Sequence, residues 1–328
     1  MQRFKNILCV LEEDGSSQPA LARAVALARN NQANLAVVDV IPRLTFGVGM
    51  PGDGSRYGNL QQAMVKEREA KMEALVEPYR KQLEIQSKVL LGTSFLEVIR
   101  EVLRGGYDLV IKCPESPDWL DRLFTGDDMH LLRKCPCPVW LVNPKAGAGA
   151  CKRILAAVDV DDNYPPAELG ARQALNTTIL EMAGGLAMSE FAELHVVHIW
   201  AAIGESVMRN GAFLKHTETE VNAYVDEVQG YHAERLDALM AAAGAKLGAD
   251  ALDYLKPQVH MLQGSPRKEI PALAKRLQVD CIVMGTVSRT GVRGFIMGNT
   301  AETILEQIDC SVLALKPPGF STPVALEN

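Results

Sequence analysis

A glycine-rich segment between an apolar strand and a helix is the part of this chain best suited to bind a ligand. The apolar run 281–284 predicts a buried strand, and the glycine-rich run 285–291 follows it directly. A second run, 298–302, leads into a predicted helix. Glycines let a backbone approach a phosphate, and free N–H groups at a helix start point toward it. The segment therefore predicts an anion site for a phosphate-bearing small molecule such as a nucleotide.

The same residues also allow a simpler structural interpretation. Arg289 and Arg293 add positive charge to the segment, which favours an anion. Asn299 followed by Glu302, however, resembles a capping box that would start a helix in any protein. No Gly-Lys-Ser/Thr follows the glycines, so this is not a Walker A loop, and the glycine spacing differs from the Rossmann fingerprint. The local residues thus leave both interpretations open.

Composition and charge restrict the class of protein. The 328 residues suffice for two ordinary domains. A formal charge of −6 argues against a nucleic-acid binder that relies on general basicity. No apolar run approaches the ~20 residues of a membrane span, and the N-terminus passes into a strand without a signal-peptide core. We therefore expect a soluble, cytoplasmic protein that binds neither nucleic acid nor membranes.

The cysteines and histidines do not form a recognisable catalytic or metal motif. Seven cysteines are present, and Cys135 and Cys137 form a Cys-x-Cys pair around a proline. A metal or redox role would need more ligands nearby or the two-residue spacing of thioredoxin-like sites. The histidines lack a nucleophile motif such as Gly-x-Ser-x-Gly. We expect buried free thiols, no catalytic residues, and no metal apart from magnesium that accompanies a nucleotide.

The chain repeats its pattern of strands. Five strand-like elements recur in the same order in the two halves, with the joint near the small-residue run 145–150. Amphipathic helical patterns separate the strands, which implies a parallel sheet covered on both faces. We predict an α/β protein with two tandem five-stranded parallel-sheet domains of flavodoxin-like type and strand order 3-2-1-4-5. The predicted domains are 1–145 and 151–317, followed by a tail, 318–328.

Topology places the glycine segment where a ligand would bind. Open parallel sheets bind ligands beyond the strand C-termini, at the point where the strand order switches. With the order 3-2-1-4-5, that point lies between the first and fourth strands. In the second half these strands end near Asp159 and Gly285. The glycine segment and the switch point therefore coincide.

With the duplication and the glycine segment together, the chain resembles the universal stress protein family, and more narrowly its tandem, two-domain E-type group. The resemblance covers essentially the whole chain and implies an adenine-nucleotide-hydrolase-like fold. Nucleotide-binding members carry Gly-x2-Gly-x9-Gly followed by Ser or Thr. The second half keeps this spacing, with Ser288 in place of the second glycine and Asn299 in place of the hydroxyl residue.

The resemblance implies a set of nucleotide-binding residues in the second half. Asp159 matches the family's acidic residue near adenine and ribose, Gly264 its glycine beside the nucleoside, and Ile199 its apolar wall. The residues carried over for the phosphates and ribose are Gly285, Ser288, Arg289, Gly298, Asn299 and Thr300. Purely structural explanations stay open, because an Asp at a strand end often caps a neighbouring element, and a glycine before Ser265-Pro266 can simply lead into a helix.

The first half departs further from the motif. Cys113 stands where the second half has Gly285, and Gly126 stands opposite Gly298. Asp127 and Asp128 stand opposite Asn299 and Thr300, where carboxylates would repel an anion. We therefore expect the first half not to bind a nucleotide.

The expected function is that of a cytoplasmic stress-response protein that binds ATP or a related adenine nucleotide in its second half. It would act through conformation or protein partners. Two alternatives stay open: a nucleotide-independent scaffold and a slow ATPase. The family pairs domains through their fifth strands, so 139–142 and 312–315 should meet within the chain as a pseudo-twofold internal dimer. Further association into a homodimer is left open.

Overall fold

The computed structural model describes residues 4–12, 17–44, 54–114, 126–146, 150–211, 216–286 and 298–326. The strands of the first half are β1 (Asn6–Leu11), β2 (Asn34–Ile41), β3 (Ile85–Leu91), β4 (Leu109–Lys112) and β5 (Val139–Leu141). Those of the second half are β6 (Arg153–Ala157), β7 (Glu193–Trp200), β8 (Gln258–Gln263), β9 (Cys281–Gly285) and β10 (Ser311–Leu315). We call the two halves the first copy and the second copy.

Helices connect these strands in both copies. The first copy contains α1 (Gln18–Asn31), α2 (Gly54–Arg80), α3 (Ser94–Gly105) and α4 (Asp127–Lys134). The second contains α5 (Pro166–Glu190), α6 (Glu205–Asn210), α7 (Glu218–Leu247), α8 (Ala249–Leu255), α9 (Pro266–Leu277) and α10 (Asn299–Leu305). Within the described ranges, none of the helices is both long and apolar enough to cross a membrane.

All the strands lie in one sheet. Its order is β3-β2-β1-β4-β5-β10-β9-β6-β7-β8. Neighbours within each copy are parallel, whereas β5 and β10 pair antiparallel, with Val312 opposite Leu141 and Ala314 opposite Val139. The predicted α/β class with a mostly parallel sheet is confirmed. Where the prediction has two tandem five-stranded sheets packed as a pair, the structure has a single ten-stranded sheet, because the fifth strands of the two copies pair.

Two hydrophobic cores cover the two faces of this sheet. Side chains of a strand alternate between faces, so Ile7 and Cys9 pack with residues of α1 and α2. Leu8 and Val10 pack on the other face with residues of α3 and α4. Each core continues from the first copy into the second. The copies therefore share one interior rather than forming two independent bodies.

The joint between the copies is centred on Trp140. This residue stands opposite Leu313 in the β5–β10 pair and is 1% exposed. The Arg23 guanidinium lies 5.2 Å from the centre of its ring and also pairs with Glu190 of the second copy. Asn143 donates its backbone N–H to Ser311 Oγ at 3.1 Å. Apolar burial and polar contacts thus connect the copies at the same place.

Proline marks the start of three helices, whereas the start of α10 differs from what the sequence indicates. Proline occupies the first turn of α1, α5 and α9, where its missing N–H costs no hydrogen bond. In α10 the N-cap is Gly298, so the capping box expected from Asn299 does not form. Glu302 instead pairs with Arg133 of α4, across the joint. A contact with the other copy replaces the local interaction that the pattern indicated.

Candidate functional site

A cavity of about 350 Å³ opens at the C-terminal ends of β6 and β9 in the second copy. This is the switch point of the strand order, because β6 and β9 are neighbours whose connections leave toward opposite sides. Its lining is largely apolar and also includes the charged residues Asp159, Asp161 and Arg172. The apolar lining residues include Leu175, Ile179, Ile199, Ile270, Met284 and Ile304.

The cavity brings together most of the residues predicted for a nucleotide. Six of them line it: Asp159, Ile199, Gly264, Gly285, Gly298 and Thr300. Asn299 is exposed at the start of α10 and is not among the lining residues. Ser288 and Arg289 lie outside the described residues. Residues that are 141 positions apart in the chain, such as Asp159 and Thr300, thus share one cavity.

The end of β9 is shaped by a glycine. A Cβ atom at Gly285 would lie 2.6 Å from Leu175 Cδ2, so the Leu175 side chain of α5 would have to move to admit one. The next residue, Thr286, donates its N–H to Leu315 O at 3.2 Å and accepts the N–H of Gly298 at 3.3 Å. These bonds hold the two ends of the glycine segment together at the cavity wall. The glycine therefore has a steric reason as well as the predicted functional one.

Asp159 is engaged by its own surroundings. Its Oδ2 accepts a hydrogen bond from the Tyr164 hydroxyl at 2.7 Å, and its Oδ1 accepts the N–H of Asp161 at 3.1 Å. Arg172 Nη1 lies 3.6 Å from Oδ2. Burial raises the pKa of Tyr164, and the Asp159 charge raises it further. The carboxylate predicted to face adenine or ribose therefore also forms hydrogen bonds within the turn that precedes α5.

Sequence reasoning missed Tyr164 and Arg172. Both line the cavity, and the Arg172 guanidinium lies 3.4 Å from the centre of the Tyr164 ring. Arg172 also lies 3.6 Å from Glu168, one turn earlier in α5. The only signal in the sequence is the Tyr164-Pro-Pro turn before the helix, which indicates a helix start but not a side-chain cluster. These residues add a cation and an aromatic ring to the lining of the cavity.

Gly264 has a conformational role that both copies share. Its φ is +149°, and Gly92 at the equivalent strand end of the first copy has φ +150°. A Cβ at either position would lie 2.9 Å from Cγ of a glutamate, Glu269 or Glu97. The glycine thus occurs in both copies in the same strained backbone region. Its presence alone is weak evidence for a ligand, since the first copy keeps it without the rest of the motif.

In the first copy a buried lysine occupies the position that corresponds to the cavity wall. Lys112 pairs across from Val10 as Met284 pairs across from Ala157, and Met284 lines the second-copy cavity. Lys112 is 2% exposed, and its Nζ lies 2.7 Å from Glu12 Oε1 and 2.6 Å from Asp128 Oδ1. Burial opposes its charge, but Asp128 and Glu12 outweigh that effect and raise its pKa.

This ion cluster refines the expectation for the first copy. Asp128 was predicted to repel an anion, and the structure directs its carboxylate to Lys112. The neighbouring Asp127 accepts the N–H of Phe95 at 3.3 Å. Three charged side chains therefore fill the place where the second copy has Asp159, Met284 and Thr300. Lys112 was not singled out from sequence, because a lysine at the end of an apolar strand resembles a solvent-exposed terminus.

Two histidine pairs lie beside β7 in the second copy. His198, which is fully buried, places Nε2 3.0 Å from His232 Nδ1 and Nδ1 3.4 Å from Val158 O. His195 Nδ1 lies 3.1 Å from His260 Nε2. Among the described residues, no group of three or more His, Cys, Asp or Glu is arranged to hold a metal. The pairs are therefore hydrogen-bonded elements of the core.

The histidine pairs predict a loss of stability in mild acid. Burial lowers the pKa of His198, and it also lowers those of His195 and His260. In the unfolded chain histidine titrates near pH 6.5, so below about that pH the unfolded state binds more protons than the folded state. The free energy of unfolding should then fall as pH drops from about 6.5. Urea unfolding at several pH values measures this slope, and His198→Gln should make it shallower. An unchanged slope in that variant would contradict the assignment.

Comparisons with known proteins agree with this architecture. Residues 3–143 and 151–316 match the universal stress protein family. Universal stress protein E of Escherichia coli K12 is 29% identical over 336 aligned positions, which cover 100% of this chain and 99% of that protein. Its homolog in Haemophilus influenzae is 30% identical over 322 positions, which cover 96% of this chain and 98% of that protein. A universal stress protein structure from Pseudomonas aeruginosa has a TM-score of 0.67 at 26% identity, and the match covers 96% of this chain and 94% of that one. This chain therefore belongs to the universal stress protein family and carries the family's domain twice in tandem.

Proposed function

We propose that this protein binds ATP or a related adenine nucleotide in the second-copy cavity and acts in the cytoplasmic stress response through conformation or protein partners. The observation that carries the proposal is the convergence of six predicted residues on one cavity at the switch point. Its volume of about 350 Å³ lies near the lower end of the range for small-molecule sites, roughly 300–1,000 Å³. The two domains, 1–145 and 151–317, would then have different roles.

The chemistry of the walls suits the parts of a nucleotide. Apolar side chains of α5, β7 and α9 offer contact area to a base, as ligand cavities generally do. The strand end at Gly285 and the region of Gly298 and Thr300 present backbone and a hydroxyl, which suits phosphates and ribose. In this assignment Ser288, Arg289 and Asn299 contact phosphates, and magnesium would enter only with the nucleotide.

Native mass spectrometry with and without ATP tests the proposal. We expect one nucleotide per chain, and its loss in Gly298→Asp, because a new carboxylate beside the phosphates would repel them. The affinity should fall by at least about tenfold, which corresponds to roughly 1.4 kcal/mol. The backbone of Gly298 has φ −66°, a value that aspartate adopts without strain, so the variant should fold.

The matched control is Gly126→Asp in the first copy. Gly126 is the N-cap of α4, as Gly298 is the N-cap of α10, and its φ is −94°. This variant should bind nucleotide as the wild type does, since the first copy is not the proposed site. A chain that is folded but binds no adenine nucleotide at millimolar concentration would refute the proposal. If Gly126→Asp abolished nucleotide binding and Gly298→Asp did not, the binding site would lie in the first copy, which would contradict the proposal.

The first copy favours a second, nucleotide-independent role. The Lys112 ammonium is paired with the Glu12 and Asp128 carboxylates in the interior of this copy, so it is already engaged and does not offer its charge to a ligand's phosphates. The shared cores and the single sheet make this copy a support for the second one. We therefore propose that the first copy serves as scaffold or partner surface, whether or not the second copy binds a nucleotide.

A further inference from the structure

The Cys-x-Cys pair lies at the joint between the copies. Cys135 follows the last residue of α4, and its backbone N–H donates to Leu131 O at 2.9 Å. The two sulfur atoms are 3.6 Å apart. Cys135 is fully buried, whereas Cys137 keeps 8% of its surface exposed. Two thiols are therefore in direct contact, and only one of them reaches the surface.

Lys316, directly after β10, links this pair to the second-copy cavity. Its Nζ donates to Leu132 O of α4 and, at 2.7 Å, to Thr286 Oγ1. Thr286 is 1% exposed, lines the cavity and holds the base of the glycine segment through its bond from Gly298. The lysine thus contacts both the first-copy segment that carries the cysteines and the wall of the cavity.

The charges of these groups depend on one another. Burial lowers the pKa of Lys316 to about 8, and the negative charge that Cys135 and Cys137 can carry opposes that fall. Burial also opposes a thiolate at Cys135, but its contact with Cys137 and the nearby Lys316 ammonium outweigh burial and lower its pKa. A thiol of lowered pKa beside a cation is the environment in which cysteines become reactive.

We propose that Cys135 and Cys137 form a redox-active dithiol that low-molecular-weight disulfides oxidise to an internal disulfide, and that this oxidation weakens anion binding in the second-copy cavity through Lys316. The first part stands on the sulfur contact and the neighbouring cation. The second part rests on the proposed nucleotide binding. The two parts are therefore tested separately.

The oxidation is an ordinary exchange between thiols and disulfides. Contact with Cys135 and burial raise the pKa of Cys137, so Cys135 loses the first proton. The Cys137 thiol then passes its proton to Cys135 across the 3.6 Å contact, and the Cys137 sulfur, which reaches the surface, attacks one sulfur of the small disulfide, whose other half leaves as a thiolate. The Cys135 thiol then loses its proton, and its sulfur attacks the Cys137 sulfur of the mixed disulfide and expels the second thiolate. Two electrons pass from the cysteine pair to the small disulfide, and the two released protons are taken up by the departing thiolates.

Loss of the thiols changes the charge beside the cavity. A disulfide cannot ionise, so the sulfurs no longer help to keep Lys316 protonated. A disulfide also draws the sulfurs to about 2.05 Å, which shifts the segment that follows Leu132. The first effect lowers the fraction of Lys316 that is protonated, and the second moves its ammonium group relative to Thr286. An anion at that wall then loses favourable Coulomb energy.

The first experiment asks whether the disulfide forms. The native full chain is incubated with glutathione disulfide, remaining thiols are alkylated, and tryptic peptides are analysed by mass spectrometry. We expect the peptide of residues 135–145, which contains both cysteines, to be unalkylated and lighter by two hydrogens. Cys310→Ser is the matched control, since Cys310 is also 8% exposed, and it should leave this product unchanged. A fully alkylated peptide in the folded chain, or a disulfide between Cys151 and Cys281 instead, overturns the proposal.

The second experiment measures ATP affinity by equilibrium titration of the reduced and the oxidised chain. We expect a several-fold larger Kd after oxidation. Cys137→Ser should keep the reduced affinity under oxidant, and Lys316→Met should show the weak affinity under both conditions. Binding that is equal in both redox states overturns the link through Lys316. A chain that binds no ATP even when reduced refutes the proposed function, while the peptide result still decides whether the dithiol is a redox site.

Discussion

Replacing Lys112 by methionine is expected to lower the free energy of unfolding by about 3–5 kcal/mol, the cost of removing one partner from a buried ion pair. The lysine is 2% exposed, and its two carboxylate partners, Glu12 and Asp128, are 17% and 7% exposed. Without the ammonium, two like charges would face each other with little water. Urea unfolding followed by circular dichroism measures the difference.

Two further variants show whether the buried cluster causes the effect. Lys88 forms a comparable ion pair with Glu101 at 2.9 Å, but its side chain is 54% exposed, so Lys88→Met should cost less than about 1 kcal/mol. Combining Lys112→Met with Asp128→Thr reproduces the residue types of the second copy at these positions and removes one carboxylate. This double variant should recover part of the lost stability. A Lys112→Met protein as stable as the wild type would disprove the account.

Truncating Trp140 is the second change with a large expected effect. Trp140→Ala should cost about 3–5 kcal/mol, as removal of a buried large aromatic side chain usually does. The indole is 1% exposed, faces Leu313 across the only antiparallel pair in the described part of the sheet, and carries the Arg23 guanidinium over its ring. The loss should therefore separate the copies as well as weaken each core.

Hydrogen exchange of β5 and β10 amides, compared with that of β1 and β6, tests this localisation. In Trp140→Ala, protection should fall most in β5 and β10, because the cavity opens between them. Phe191→Ala provides the control, since Phe191 is also aromatic but is 83% exposed. That variant should change stability by no more than about 0.5 kcal/mol. If Trp140→Ala and Phe191→Ala lowered the free energy of unfolding equally, burial of the aromatic side chain at the joint would not explain the effect of Trp140→Ala.

The cavity residues differ in how far the chain alone could predict them. Gly285 and Gly298 stand in a local spacing pattern next to an apolar strand, so the adjacent sequence is enough to predict them as ligand-binding residues. Asp159 and Ile199 could be placed only with the strand order, because each lies near the end of a different strand. Tyr164 and Arg172 belong to no motif, and only the fold of the turn before α5 brings them to Asp159.

The sequence by itself determined the features that depend on neighbouring residues. Period-two and period-3.6 apolar patterns predict strands and helices, and their recurrence along the chain reveals the duplication and the α/β class. Proline and glycine mark helix starts and strand ends, since their backbone preferences act locally. For the same reason the glycine segment could be identified as the place where a ligand would bind.

Only the tertiary structure decided how distant side chains meet. The resemblance predicts that the fifth strands meet, but only the structure gives their antiparallel register, with Trp140 opposite Leu313, 173 positions away. The ion cluster of Lys112 includes Glu12, 100 positions away, just after the adjacent strand. Such contacts arise from the packing of whole strands and helices, and burial then makes their charges interdependent. No local pattern encodes them, because each partner's sequence neighbourhood is ordinary.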